Sequence, residues 1–150
     1  MSLIDDVKAF FTEDDWNPTP MESDPLALVM GFVGEAARWQ CYCKVREEQH
    51  QILFYSIAPV PVPEDKRAAV AEFITRANYG LIIGNMEMDF DDGEVRYKSA
   101  VDVEGAPFSS SSVRNIVYAN VLTMDRYLPG LLAMVHGEMN PIDAIAKVED

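Results

Sequence analysis

Two cysteines, two histidines, a run of carboxylates and a run of serines are the residues here whose types and spacing could do chemistry. Cys41 and Cys43 stand two apart. On a strand that spacing turns both thiols into one face, where a disulfide between them is strained and a zinc site lacks further ligands; both read as buried free thiols. His50 falls in an expected turn. His136 falls in the last turn of an expected helix, where a cation suits the dipole, and neither has Cys or acid at ligand spacing. The cluster Glu87, Asp89, Asp91, Asp92, Gly93, Glu94 superficially resembles a calcium loop. Counted from Glu87, however, the loop glycine falls on Asp92 and the closing glutamate on Lys98. Ser109 to Ser112 lacks the glycines and lysine of a phosphate loop and has no base beside it, so these serines read as helix caps. These patterns predict no catalytic residue, no metal site and no cofactor.

The elements that would carry these residues follow from periodicity. Ser2 caps a first helix with Ile4, Val7, Phe10 and Phe11 on one face, and Pro18 and Pro20 force extended backbone after it. Leu26 to Val33 is a nearly continuous apolar run, which suits a strand covered on both faces. Trp39, Cys41, Cys43 and Val45 alternate with polar residues, and Ile52 to Ala58 is a third run. Short connections make these three an antiparallel meander. Pro59 to Pro63 is a stiff connector into a helix with Val70, Phe73, Ile74 and Ala77 buried, and Asn78-Tyr79-Gly80 offers a left-handed stop.

Asp92-Gly93 predicts a two-residue hairpin turn. In that register Phe90/Val95, Met88/Tyr97, Met86/Ser99, Gly84/Val101 and Ile82/Val103 face each other on an apolar side. Asp89/Arg96 and Glu87/Lys98 pair on the other side. A long helix follows with Val113, Ile116, Val117, Asn120, Val121, Met124 and Leu128 on one side. Pro129-Gly130 is expected to kink or break it, Gly137 to stop it, and Asn140-Pro141 to start a last short helix. The expected fold class is α+β, in the order α-βββ-α-ββ-α-α, with an antiparallel sheet packed against helices.

The chain has 12 Lys+Arg against 25 Asp+Glu, a net charge of −13, with 49% hydrophobic residues. Disordered, collagenous and disulfide-scaffold classes are excluded, and the length predicts a single domain over 1–150. Residues 1–25, an acidic N-terminal helix and Pro-containing lead-in, hold seven acids and one base. Residues 87–105 hold seven acids and two bases. Such charge predicts no nucleic acid and no membrane as main partner. No apolar run reaches the roughly 18–20 residues of a membrane span. The first turn carries Asp5 and Asp6, so no signal peptide is expected. With two cysteines, that suggests a reducing, cytoplasmic setting.

Three stretches resemble the YbjN family of bacterial sensory-transduction regulators. They are Asn78-Tyr79-Gly80-Leu81-Ile82-Ile83-Gly84-Asn85, the acidic hairpin Asp89 to Tyr97, and Asn120 to Pro129. The resemblance covers roughly residues 26–148. It implies a fold similar to type III secretion chaperones, which are small, acidic, usually dimeric proteins that bind extended client segments. It brings no catalytic residues.

Two functions compete. One is a non-enzymatic protein-interaction module, a chaperone-like adapter or regulator that forms a homodimer and binds another protein through sheet-edge or apolar-groove contacts. The expected homodimer would cover the apolar first strand. The other is a small-molecule or divalent-metal-binding sensor or enzyme, using the 87–94 acidic hairpin or a sheet–helix pocket.

Overall fold

The computed structural model describes residues 2–149. Its first helix, α1 (Leu3–Glu13), buries Leu3, Ile4, Val7, Phe10 and Phe11, as the spacing requires. The Ser2 hydroxyl oxygen accepts from the Asp5 N–H at 3.4 Å. A stronger cap comes from far away in sequence, because the Glu47 carboxylate accepts from the Leu3 and Ile4 N–H groups at 3.0 Å each.

The chain then forms β1 (Thr19–Met21), β2 (Asp24–Val33), β3 (Arg38–Arg46) and β4 (Gln51–Ile57). The expected α-βββ-α-ββ-α-α order holds, with the short β1 added in the segment read only as extended. A 3-10 turn, Glu64–Lys66, leads into α2 (Arg67–Asn78). Strands β5 (Asn85–Met88) and β6 (Val95–Asp102) follow, then α3 (Ser110–His136) and α4 (Pro141–Glu149). All neighbouring strands are antiparallel, in the order β1-β2-β3-β4-β6-β5. The alternation along β3 sets the two faces: Trp39, Cys41, Cys43 and Val45 are buried toward the helices, while Arg38, Gln40, Tyr42, Lys44 and Arg46 point the other way.

Several local expectations give way to tertiary contacts. The hairpin turn spans four residues, Phe90 to Gly93, because Gly93 at φ +80 donates its N–H to Asp89 O at 2.7 Å and Asp89 N–H donates to Glu94 O at 2.9 Å. Met86 faces Tyr97 and Glu87 faces Arg96, two residues from the expected register. A two-residue shift keeps every side chain on its face, so the apolar side survives while the ion pairs change. The strand is also shorter than expected. Gly84 sits at φ +80, and Tyr97 donates its hydroxyl to Ile83 O at 2.6 Å, so the chain leaves the sheet there. Ile82/Val103 and Gly84/Val101 therefore do not pair.

Helix α3 runs unbroken through Pro129. The missing N–H costs one hydrogen bond, but tertiary packing offsets it: a Cβ on Gly130 would lie 2.8 Å from Ala144 O and 2.9 Å from the Phe73 ring, so α4 and α2 press closely there. At its end, Lys66 donates to Met134 O, Val135 O and Gly137 O at 2.7–3.1 Å, a cation on the negative pole of the helix. Ser109 precedes the first turn, yet its hydroxyl meets Ser111 Oγ and caps no backbone N–H, contrary to the expected role of these serines. Helix α2 ends at Tyr79 in helical geometry without the left-handed glycine expected at Gly80. Asn140 caps α4 as expected, accepting from Asp143 N–H at 2.9 Å.

Candidate interaction surface

Cys41 and Cys43 are fully buried and free. Burial pushes the Cys41 thiol up to about 11, even though its contact with Ser56 pulls the other way, and burial alone pushes Cys43 higher still. Thiolates are the reactive form, so neither thiol should react with Ellman's reagent in the native protein, whereas both should react after denaturation. Fast labelling of the folded chain would contradict this burial.

Among the described residues, Ser56, Ser99 and Asn120 are the buried polar ones, and they form one network. Ser56 donates to Asn120 Oδ1 at 2.6 Å. The Asn120 amide shares its two N–H groups among Phe54 O, Tyr97 O and Ser99 Oγ at 2.9–3.1 Å. Ser99 in turn donates to Ile116 O at 2.7 Å. Every member donates within the network, and the network fastens α3 to the middle of the sheet between β4 and β6.

The acidic hairpin spends its carboxylates locally. Glu87 takes both bases, accepting from Arg96 Nε at 2.5 Å and Lys98 Nζ at 3.2 Å. Partial burial pushes the Glu87 carboxyl up, but these two cations outweigh it and hold it below its usual range. Asp89 was expected to face Arg96; instead Asp89 Oδ1 accepts from Asp91 N–H at 2.8 Å, and Asp92 Oδ1 accepts from Glu94 N–H at 2.9 Å. His50 lies in the β3–β4 turn at φ +56 and His136 at the end of α3. Among the described residues, no three His, Cys, Asp or Glu side chains gather as they would to hold a metal ion.

Both sheet edges carry features that discourage an added strand. At β5 the Asn78 side chain acts as a strand substitute, accepting from Met86 N–H at 2.9 Å and donating to Met86 O at 3.0 Å. At the other edge β1 has three residues and carries Pro20, with Pro18 before it. Short, proline-bearing or side-chain-capped edges resist pairing with another chain. These features disfavour strand addition at Met86 and along β1.

What the fold leaves open is apolar. Tyr79 is 95% exposed, Ile82 92% and Ile83 43%, all in the loop between α2 and β5, where the sequence pattern puts a helix stop at 78–80 and a strand from Ile82. Asn78 and Gly84 hold the two ends of this loop. The apolar run Leu26 to Val33, now in β2, is not covered on both faces as expected, since Val33 is 70% exposed and Gly31 is open. Sequence reasoning missed the 79–83 loop because a residue kept apolar for a partner looks like one kept for the core. Its signal was the Gly84 that ends the run.

No helix among the described residues is long and apolar enough to cross a membrane. No curated protein matches this sequence significantly. Among solved structures, E. coli YbjN superposes with a TM-score of 0.65 at 12% identity, covering 89% of this chain and 92% of that one. A chain of the ExsC–ExsE complex matches at TM-score 0.53 and 8% identity, over 86% of this chain and 96% of its own. The complex of the Yersinia pestis type III secretion chaperone SycH with a stable fragment of YscM2 gives TM-score 0.50 and 13% identity, over 81% and 94%. The fold is thus α+β and similar to that of type III secretion chaperones. Residues 3–133 match the family described as "Putative bacterial sensory transduction regulator", and the chain belongs to that family, YbjN.

Proposed function

We propose that this chain is a non-enzymatic protein-interaction module, a chaperone-like adapter or regulator, working as a single domain in the cytoplasm and associating with a second copy of itself through the 79–83 loop. The observation that carries this reading is the exposure of Tyr79, Ile82 and Ile83 within one five-residue loop. Clustered exposed apolar side chains are costly to keep in water, and they mark contact sites in soluble proteins. Capped edges at Asn78–Met86 and at β1 turn recognition toward side chains rather than strand addition. Two of the similar folds were solved as complexes, ExsC with ExsE and SycH with a fragment of YscM2, in keeping with a protein-binding role.

Light scattering on the full-length chain tests this. The wild type is expected as a dimer at micromolar concentration. Tyr79→Ser combined with Ile82→Ser should give a monomer with unchanged thermal stability, because these side chains touch little in their own chain. A monomeric wild type, or an equally dimeric variant, would overturn the association.

A further inference from the structure

Helix α4 lies on α2 and α3, at the end of a four-residue connection from Gly137 to Asn140. The family match, residues 3–133, stops before it. Of its nine residues only Ala144 is fully buried, and Ile145 and Val148 are half-buried on the same face. Ala144 fits because it meets Gly130 on α3: a Cβ on Gly130 would lie 2.8 Å from Ala144 O and 2.9 Å from the Phe73 ring beneath. Tyr127 stands edge-on to Phe73, ring centroids 6.4 Å apart, and donates its hydroxyl to the Glu149 carboxylate at 2.6 Å. Arg126 donates to Val148 O at 3.1 Å. A carboxylate in the last turn of a helix opposes the dipole, so Glu149 is favoured there by Tyr127 and not by its own helix.

We infer that α4 is a built-in cover on a helix-binding groove between α2 and α3, whose other occupant is an amphipathic helix of a partner protein. That helix carries a small residue against Gly130 and a carboxylate five residues further on, the pattern that Ala144 and Glu149 display. A helix of nine residues is marginal in water by itself, and one fully buried alanine adds little to hold it down. Terminal elements with so few buried apolar contacts open at lower free energy than the core. Lifting α4 uncovers Gly130, Phe73 and Tyr127, an apolar floor with a notch at Gly130 and a hydroxyl donor one turn away. Grooves of this kind read helices through residues on one face. Because α4 is tethered beside its seat, a partner helix has to displace it, which sets a threshold for binding. The inference rests on reading the protein as an interaction module, but it uses a surface other than the 79–83 loop.

Fluorescence anisotropy of the full-length chain with a labelled synthetic peptide of residues 139–149 tests it. Ala144→Glu puts a carboxylate into a fully buried position without a partner, so α4 should lift while circular dichroism shows the rest folded. Ile145→Asp with Val148→Asp lifts it by a second route. Both variants should bind the peptide at least about tenfold more tightly than wild type, whose own helix competes. In the peptide, Ala144→Leu should weaken binding at least about tenfold, because the notch at Gly130 has no room for a larger side chain. Glu149→Lys in the peptide should weaken it about threefold through loss of the Tyr127 contact. No binding to either lifted variant, equal binding by wild type, an Ala144→Leu peptide as good as the native one, or unfolding of both variants would each overturn the inference. A complex between wild-type and Ala144→Glu chains, both carrying Tyr79→Ser and Ile82→Ser, would give the groove to the α4 of a second copy and overturn it as well. A chain that dimerises but never takes the peptide would remove this proposal and leave the 79–83 reading standing.

Discussion

Replacing Asn120 by alanine is expected to destabilise the protein by about 3 kcal/mol, a fall in melting temperature of roughly 10 °C for a chain of this size. Asn120 is fully buried on α3 and its amide serves four partners on β4 and β6. Truncation leaves the Ser56 hydroxyl without its acceptor and takes a donor from Phe54 O, Tyr97 O and Ser99 Oγ. Each buried polar group stranded this way costs about 1–3 kcal/mol, whereas the lost packing volume is small. Asn120→Leu fills the space but restores no hydrogen bond, so it should remain nearly as destabilised as the alanine variant. Urea unfolding of both variants measures this. A loss below about 1 kcal/mol would mean that the network holds the sheet and α3 together less than its geometry implies.

Gly93→Ala is expected to cost about 2–4 kcal/mol, from the left-handed backbone and a steric conflict together. At φ +80 an added Cβ would lie 2.1 Å from Val62 O and 2.9 Å from Val62 N. The proline connector would have to move off the hairpin, breaking the Val62 N–H bond to Gly93 O at 2.9 Å and disturbing Arg67, which donates to both Val62 O and Phe90 O. Gly80→Ala is the matched control: its Cβ meets nothing within 4 Å and its backbone is not left-handed. That variant should stay near wild type in the same unfolding experiment. Equal effects of the two would contradict the hairpin docking described here.

The sequence made the faces legible and left the long-range contacts hidden. Alternation along β3 places Trp39, Cys41, Cys43 and Val45 correctly, and the helical spacing of Val70, Phe73, Ile74 and Ala77 does the same for α2, because both patterns are local. The hairpin shows the boundary of that reading. Its parity survives a two-residue change of register, so its faces are right, but turn length decides which acid meets which base, and Glu87 takes both. Glu47 on α1, Lys66 on the end of α3, and Asp125 accepting from Glu35 and Ala36 N–H at 3.0 Å join residues 43 to 90 positions apart. Nothing near any of these residues names its partner. Pro129 misleads for the same reason, since packing by α2 and α4 keeps a helix that its own residues would interrupt.

The surfaces were the least legible part. Ile82 and Ile83 are apolar enough to pass for the start of a strand, and only the bend at Gly84 and the Asn78 lock on Met86 show that they belong outside. The outward ion pairs are likewise dispersed, joining Lys44 to Asp24 and Glu87 to Arg96 and Lys98 across separate strands.

A photo-reactive amino acid placed at Ile82 in the full-length chain, irradiated in the cells that make it, probes most directly whether this protein works by contact. Leu122, another exposed apolar position, is the comparison. Covalent protein adducts from position 82, to a second copy or to another polypeptide, with few from position 122, are the predicted result. A bare chain at position 82, or adducts no richer than those at 122, would contradict the account.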